Sequence, residues 1–111
     1  MKDIGYASYT TTDNTTVHTL SDTPNAGMAY PATDPWAGGQ RPNVAILQAL
    51  THDVNWMPAG GTPTAAVGIG LVAGQTLQYN GDLGGLRFCA VTSGAILKVA
   101  YFYGQPGGEV A

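Results

Sequence analysis

The sequence predicts an all-β protein: an antiparallel β-sandwich, jelly-roll-like, with an extended N-terminal arm. Glycine and proline, which interrupt helices, occur 16 and 7 times in 111 residues, and threonine, which favours strands, is abundant. Between residues 44 and 103, turn signals recur about every eight to twelve residues, a spacing typical of sandwiches and barrels. The segments between these turns alternate apolar and polar side chains, which is the period of a half-buried strand.

Composition divides the chain into three parts. Residues 1–43 hold many Thr, Asp, Pro and Gly residues and few aliphatic ones, and we interpret them as an N-terminal arm or outer strands with a loop. Residues 44–104 carry nearly all the core-forming side chains and form the predicted sandwich. Residues 105–111 are expected to be a flexible tail. For residues 4–20 two alternatives stay open, namely strands of the same sandwich or an arm that contacts a neighbouring subunit.

The first region contains two alternating segments and then a long connection. Tyr6–Thr10 and Thr15–Leu20 alternate as strands do, with a turn predicted at Asp13-Asn14. The proline- and glycine-rich connection that follows is longer than most loops of compact domains, and loops of that length usually have a function. Contact with a neighbouring subunit would be such a function.

The segment Val44–Leu50 is ambiguous, because it also carries apolar residues at helical spacing. A strand is preferred, since the helical stripe stops at Asp53 whereas the alternating pattern continues beyond it. An irregularity is expected at residues 51–53. The strand interpretation places five apolar residues on one parity: Val44, Ile46, Leu50, Val54 and Trp56.

The clearest strand is Ile96–Tyr103, whose alternate residues up to Tyr103 share one apolar face. Asn80-Gly81 favours positive φ and predicts a tight turn before the next strand. The expected core consists of Val54, Trp56, Leu71, Leu77, Leu86, Phe88, Leu97, Val99 and Tyr101.

The charge pattern disfavours a nucleic acid partner, and the distribution of apolar residues disfavours a membrane. Only 10% of the residues are charged, against about 25% in an average soluble protein, and the net charge is −3. The four cations are scattered, whereas a nucleic-acid surface needs clustered ones. The N-terminus lacks the apolar region of a secretory signal, and no apolar stretch is long enough to span a membrane. We therefore expect synthesis in a reducing cytoplasm.

No residue pattern predicts an enzyme, a cofactor or a metal site. Cys89 is the only cysteine and lies in an apolar strand, so a buried, unreactive thiol is expected. The two histidines, His18 and His52, are too few for a zinc site, which needs three or four ligands. The adjacent His52 and Asp53 would point to opposite faces of a strand, so they do not predict a catalytic pair.

A series of motifs between residues 44 and 103 occurs in a distinctive order. The motifs are Asp53–Trp56, Gly61–Gly68, Leu71–Leu83, Leu86–Phe88, Ser93–Ala95 and Leu97–Phe102. This series resembles a family of small virion structural proteins of tailed bacteriophages, which implies a compact β-sandwich associated with the phage head. The family often has a charged turn after the tryptophan strand, whereas this chain has Met57-Pro58-Ala59-Gly60. A contact made through that turn is therefore not implied here.

The resemblance and the low charge lead to one expected function and one alternative. The expected function is that of a capsid decoration (cement) protein, which binds the major capsid protein on the exterior of the virion. Self-association is expected as well, as a homotrimer or else a dimer. Tyr and Trp are frequent interface anchors, so the expected contact residues are Tyr6, Tyr9, Tyr30 and Trp36. The alternative is a receptor- or glycan-binding β-domain of a head or tail fibre.

Overall fold

The computed structural model describes residues 2–30, 42–58, 61–80 and 83–103, with side chains from residue 5 onward. In these parts of the chain the strands form two antiparallel sheets and no α-helix is present, which confirms the all-β prediction. A 3-10 turn, Leu83–Gly85, precedes the eighth strand. The strands are β1 Lys2–Thr10, β2 His18–Thr19, β3 Ala26–Gly27, β4 Val44–Leu50, β5 Val54–Met57, β6 Ile69–Leu71, β7 Thr76–Tyr79, β8 Arg87–Ala90 and β9 Ile96–Tyr103.

The larger sheet has five strands in the order β3-β1-β9-β4-β7, and the smaller has four in the order β2-β8-β5-β6. The strand predicted most clearly, β9, lies at the centre of the larger sheet, where it pairs with β1 on one side and β4 on the other. This position explains its strong alternation, because each face of a central strand has a constant environment along its length.

Both sheets contribute to one hydrophobic core, as in a sandwich. The Tyr9 ring from the larger sheet meets the Phe88 ring from the smaller one edge to face, with centroids 5.6 Å apart. Most of the expected core is buried, namely Val54, Leu71, Leu86, Phe88, Leu97, Val99 and Tyr101. Trp56 and Leu77 are only partly buried and pack against the margin of this core. Tyr103, at the end of β9, is 40% exposed.

The predicted parity of β4 is wrong, although the strand itself is confirmed. The side chains that face the core are Ala45, Leu47 and Ala49, whereas Ile46 lies on the opposite face and is partly exposed. The chain changes sheets between β4 and β5, so the parity of one strand does not continue into the other. The irregularity predicted at residues 51–53 lies at this crossing, where Thr51 has a positive φ of 68°.

Two of the turns between consecutive strands depend on glycine. Gly74 lies between β6 and β7 with a φ of 90°, and Gly94 lies between β8 and β9 with a φ of 88°. Backbone of this left-handed kind strains any residue with a Cβ, which is why glycine occupies both positions. At these two positions, glycine therefore marks the turn that separates one strand from the next.

The described residues before Tyr30 contribute strands to both sheets, so an extended arm is not confirmed. Strand β1 lies inside the larger sheet, between β3 and β9, and runs in register with β9 from Gly5 to Thr10. Strand β2 pairs with β8 in the smaller sheet. For residues 4–20, β1 and β2 thus favour the alternative that assigned this region to the sandwich. Few aliphatic residues suffice to join this region to the sandwich, because its described side chains contribute only Ala7, Tyr9 and Leu20 to the core cluster.

The predicted turn at Asp13-Asn14 is formed by the carboxylate of Asp13. Its Oδ1 atom accepts hydrogen bonds from the backbone N–H groups of Thr15, at 3.0 Å, and Thr16, at 2.8 Å. These bonds, first that of Thr16, hold the pKa of Asp13 below its ordinary value. The predicted strand beyond the turn is shorter than expected, since only His18–Thr19 pairs with a neighbour.

Candidate interaction surface

Of the four aromatic residues expected at an interface, the three that the structure describes do not lie together. Tyr6 is 58% exposed on the outer face of the larger sheet, whereas Tyr9 is only 4% exposed and faces the core. Tyr30 is half-buried, and its ring lies 6.4 Å from that of Tyr101. Trp36 lies outside the described residues, with the rest of 31–41. Of the described three, Tyr6 is the most exposed.

Tyr9 is a structural residue of its own chain. Its hydroxyl donates a hydrogen bond to the carbonyl of Leu20, and it lies 3.1 Å from the hydroxyl of Tyr101. Burial raises the pKa of Tyr9 to about 12, and burial also raises the pKa of Tyr101. Both phenols are therefore protonated at neutral pH and connect β1 with β9 and the segment around Leu20.

The register of three strands creates a groove beside Tyr6. Tyr6 on β1 lies opposite Ala100 on β9, and Ala100 in turn lies opposite Ile46 on β4. The small Ala100 forms a floor between two larger side chains, and the resulting groove has a volume of about 230 Å³. We call it the Tyr6 groove; its outward-facing residues are Tyr6, Ile46, Gln48, Thr76, Lys98 and Ala100.

Lys98 supplies the positive charge of the Tyr6 groove. It is exposed, and no described carboxylate forms an ion pair with it. The described carboxylates have other partners: Asp13 accepts from Thr15 and Thr16, Asp22 lies beside His18, and Asp53 accepts from the backbone N–H of Ala73. Among the described residues, the groove therefore combines apolar walls with one cation that has no acidic partner.

A second exposed apolar region lies at the edge of the smaller sheet. Three apolar side chains in or beside β6, the last strand of that sheet, are about half exposed: Val67, Ile69 and Val72. One side of β6 pairs with β5, and no described strand pairs with the other side. Unpaired edges of this kind can associate with another strand.

His18 and Asp22 form a pair that the sequence analysis missed. The two residues are four apart, on either side of a turn, and His18 Nδ1 lies 3.0 Å from Asp22 Oδ2. The imidazole stacks on Phe88, and its Nε2 atom is buried without a hydrogen-bond partner among the described residues. The adjoining cavity measures about 50 Å³, and a hydroxyl of Thr19 donates to Asp22.

The remaining candidate groups of the described residues do not line the Tyr6 groove. Cys89 is buried as predicted, and burial, followed by the charge of Asp13, raises the pKa of its thiol. Asp53 points towards the β6–β7 turn, while His52 is exposed. No cluster of three or more metal-ligating side chains occurs among the described residues. No described helix has the length and apolar character required to span a membrane.

No family model matches this chain, and neither a curated protein nor a solved structure was found to be similar to it.

Proposed function

We propose that this chain is a non-enzymatic structural protein of a phage head, a capsid decoration (cement) protein that binds the outer surface of the major capsid protein and stabilises the shell. The observation that carries the proposal is the outer face of the larger sheet, which the described residues leave uncovered and where the Tyr6 groove is exposed and apolar. An exposed concave patch with few charges is typical of a protein-binding surface. The resemblance of residues 44–103 to phage virion proteins selects the capsid as partner.

We further infer that the two sheets form a jelly roll. When the short β3 is set aside, eight strands remain, and they pair from the outside of the sequence inward. The pairs are β1 with β9, β2 with β8, β4 with β7, and β5 with β6. Such pairs arise when a chain folds into one long hairpin that then rolls up, so that successive pairs enter alternate sheets. Jelly rolls are found in viral capsid and lectin domains, so the topology agrees with the proposal without specifying it.

Self-association and location follow from the same proposal. A decoration protein occupies symmetric positions on a shell, and a homotrimer, or else a dimer, matches the local axes of such a lattice. The chain would be made in the cytoplasm of the host bacterium and would then reside on the capsid exterior. Light scattering of the purified protein measures the oligomer, and a mass corresponding to one chain at all concentrations would contradict this part.

The alternative, a receptor- or glycan-binding domain of a head or tail fibre, has one observation in its favour. The exposed ring of Tyr6 lines the same groove as the amide of Gln48 and the hydroxyl of Thr76, and these are groups that bind sugars. Copy number separates the two functions. A cement protein is present in hundreds of copies over the shell, whereas a fibre module is present in tens of copies.

The decisive experiment measures binding of the purified protein to capsids of the phage that encodes it. We expect saturable binding of the unmodified protein and weaker binding of Tyr6→Ala, because the change removes one wall of the groove. His52→Ala is the matched control, since it removes an exposed ring that lies outside the groove. Absence of binding by the unmodified protein would refute the decoration function.

A further inference from the structure

The Tyr6 groove has the dimensions of a site for one apolar side chain. Tyr6 and Ile46 lie on the two strands that flank β9, so their backbones are two strand spacings apart, about 9.5 Å. Between them Ala100 leaves a depression that an aliphatic side chain of a partner can fill. Burying such a side chain provides affinity without any charge on the groove walls.

Lys98 lies at one end of this depression. It precedes Ala100 by two residues on β9, and side chains two apart on a strand share a face at a separation of about 6.7 Å. Ser8 and Gln48 are its cross-strand neighbours, and neither carries a charge. A carboxylate of a partner would therefore meet Lys98 without competition from the described acidic side chains.

We infer that the Tyr6 groove binds an extended acidic segment of the capsid protein, in which an apolar side chain and an Asp or Glu are two residues apart. The inference rests on the proposed function and names the chemistry of its partner. An extended segment laid along β9 repeats its side chains at the same interval as β9 itself. Its apolar side chain covers Ala100 while its carboxylate contacts Lys98.

Charge complementarity distinguishes this partner from other polymers. A phosphate polymer requires several clustered cations, whereas the Tyr6 groove holds one. A neutral segment would leave the Lys98 ammonium partly covered and unpaired, which costs free energy. An acidic segment with one apolar side chain both covers the apolar groove walls and pairs with the Lys98 ammonium.

Carbodiimide coupling of decorated capsids tests the inference directly. The reagent joins an amine to a carboxylate as an amide, with its own conversion to a urea, so it links only groups that are in contact. We expect mass spectrometry to find Lys98 linked to an Asp or Glu of the capsid protein that has an apolar residue two positions away. A link from Lys98 to a carboxylate of this chain or of a second copy, or no link at Lys98, would overturn the inference.

Variants of the groove provide an independent measurement. Lys98→Glu should weaken capsid binding at least about tenfold, because it replaces an attraction by a repulsion. Ala100→Leu should weaken it similarly by filling the floor, while Lys98→Arg keeps the charge, retains binding and abolishes the carbodiimide link. If the unmodified protein binds capsids and these variants bind equally well, the inference fails while the proposed function stands. If the unmodified protein does not bind, both fail.

Discussion

The two faces of β1 use the same residue type for opposite purposes. Tyr9 points into the core, where its hydroxyl bonds to Leu20 and contacts Tyr101. Tyr6, three residues earlier, points away from the core and is mostly exposed. Because side chains on a strand alternate, an odd spacing places two identical residues in different environments. The function of an aromatic residue in this chain therefore depends on its parity and not on its type.

The inner and outer faces of the larger sheet also differ in how their polar groups are satisfied. On the inner face the phenols of Tyr9 and Tyr101 have protein partners and are shielded from water. On the outer face Lys98 has no acidic partner among the described side chains. Satisfied polar groups stabilise the fold, whereas an exposed charge over an apolar floor remains available to a ligand.

Removal of β1 should have the largest effect on stability. Deleting residues 2–10 removes a strand that lies between two others and exposes the edge of β9. We expect loss of cooperative unfolding in circular dichroism and calorimetry. A truncated protein that unfolds cooperatively with unchanged stability would restore the interpretation of this region as an arm.

Truncation of the Phe88 ring, which packs against Tyr9, should have the second-largest effect on stability. Phe88→Ala leaves a cavity between the sheets and should lower the free energy of unfolding by about 3–5 kcal/mol. Trp56→Ala is the comparison variant, and its effect should be smaller because Trp56 is only partly buried. Urea denaturation measures both values. Equal losses of unfolding free energy in the two variants would mean that the margin and the centre of the core contribute equally to stability.

Removal of one hydroxyl distinguishes the two faces most directly. Tyr9→Phe removes one hydrogen bond to the Leu20 carbonyl, which still accepts from the backbone N–H of Tyr30, and should cost about 0.5–1.5 kcal/mol of unfolding free energy. Tyr6→Phe, on the outer face, should change it by less than about 0.5 kcal/mol. A substantial loss for Tyr6→Phe, again from urea denaturation, would show that the outer hydroxyl has a structural function.

The smallest expected effect is a dependence on alkaline pH. The pKa of Tyr9 is raised to about 12 in the folded protein, so the unfolded chain loses this proton first, near pH 10. The stabilisation from protonated Tyr9 is fully present below pH 10 and is lost as the pH rises towards 12. Tyr9→Phe should show a shallower decline in unfolding free energy over this range. Identical pH profiles for the two proteins would contradict the assignment.

Several features could be predicted from local sequence because their cause is local. The turns at Gly74 and Gly94 depend on a backbone conformation that glycine adopts without strain. The strand β9 depends on alternation within eight residues. The groove was not predictable in the same way, because Tyr6, Ala100 and Ile46 come together only through the pairing of three strands.

The sequence by itself determined the all-β class, the turns at Gly74 and Gly94, the main strands of the second half and the burial of Cys89. Only the tertiary structure decided which face of β1 and β4 is inward, that β1, β2 and β3 belong to the sheets, and that His18 meets Asp22. The reason is the range of the interactions concerned. Backbone preferences and alternation act over a few residues, whereas Tyr9 acquires its environment from Tyr101, 92 residues away.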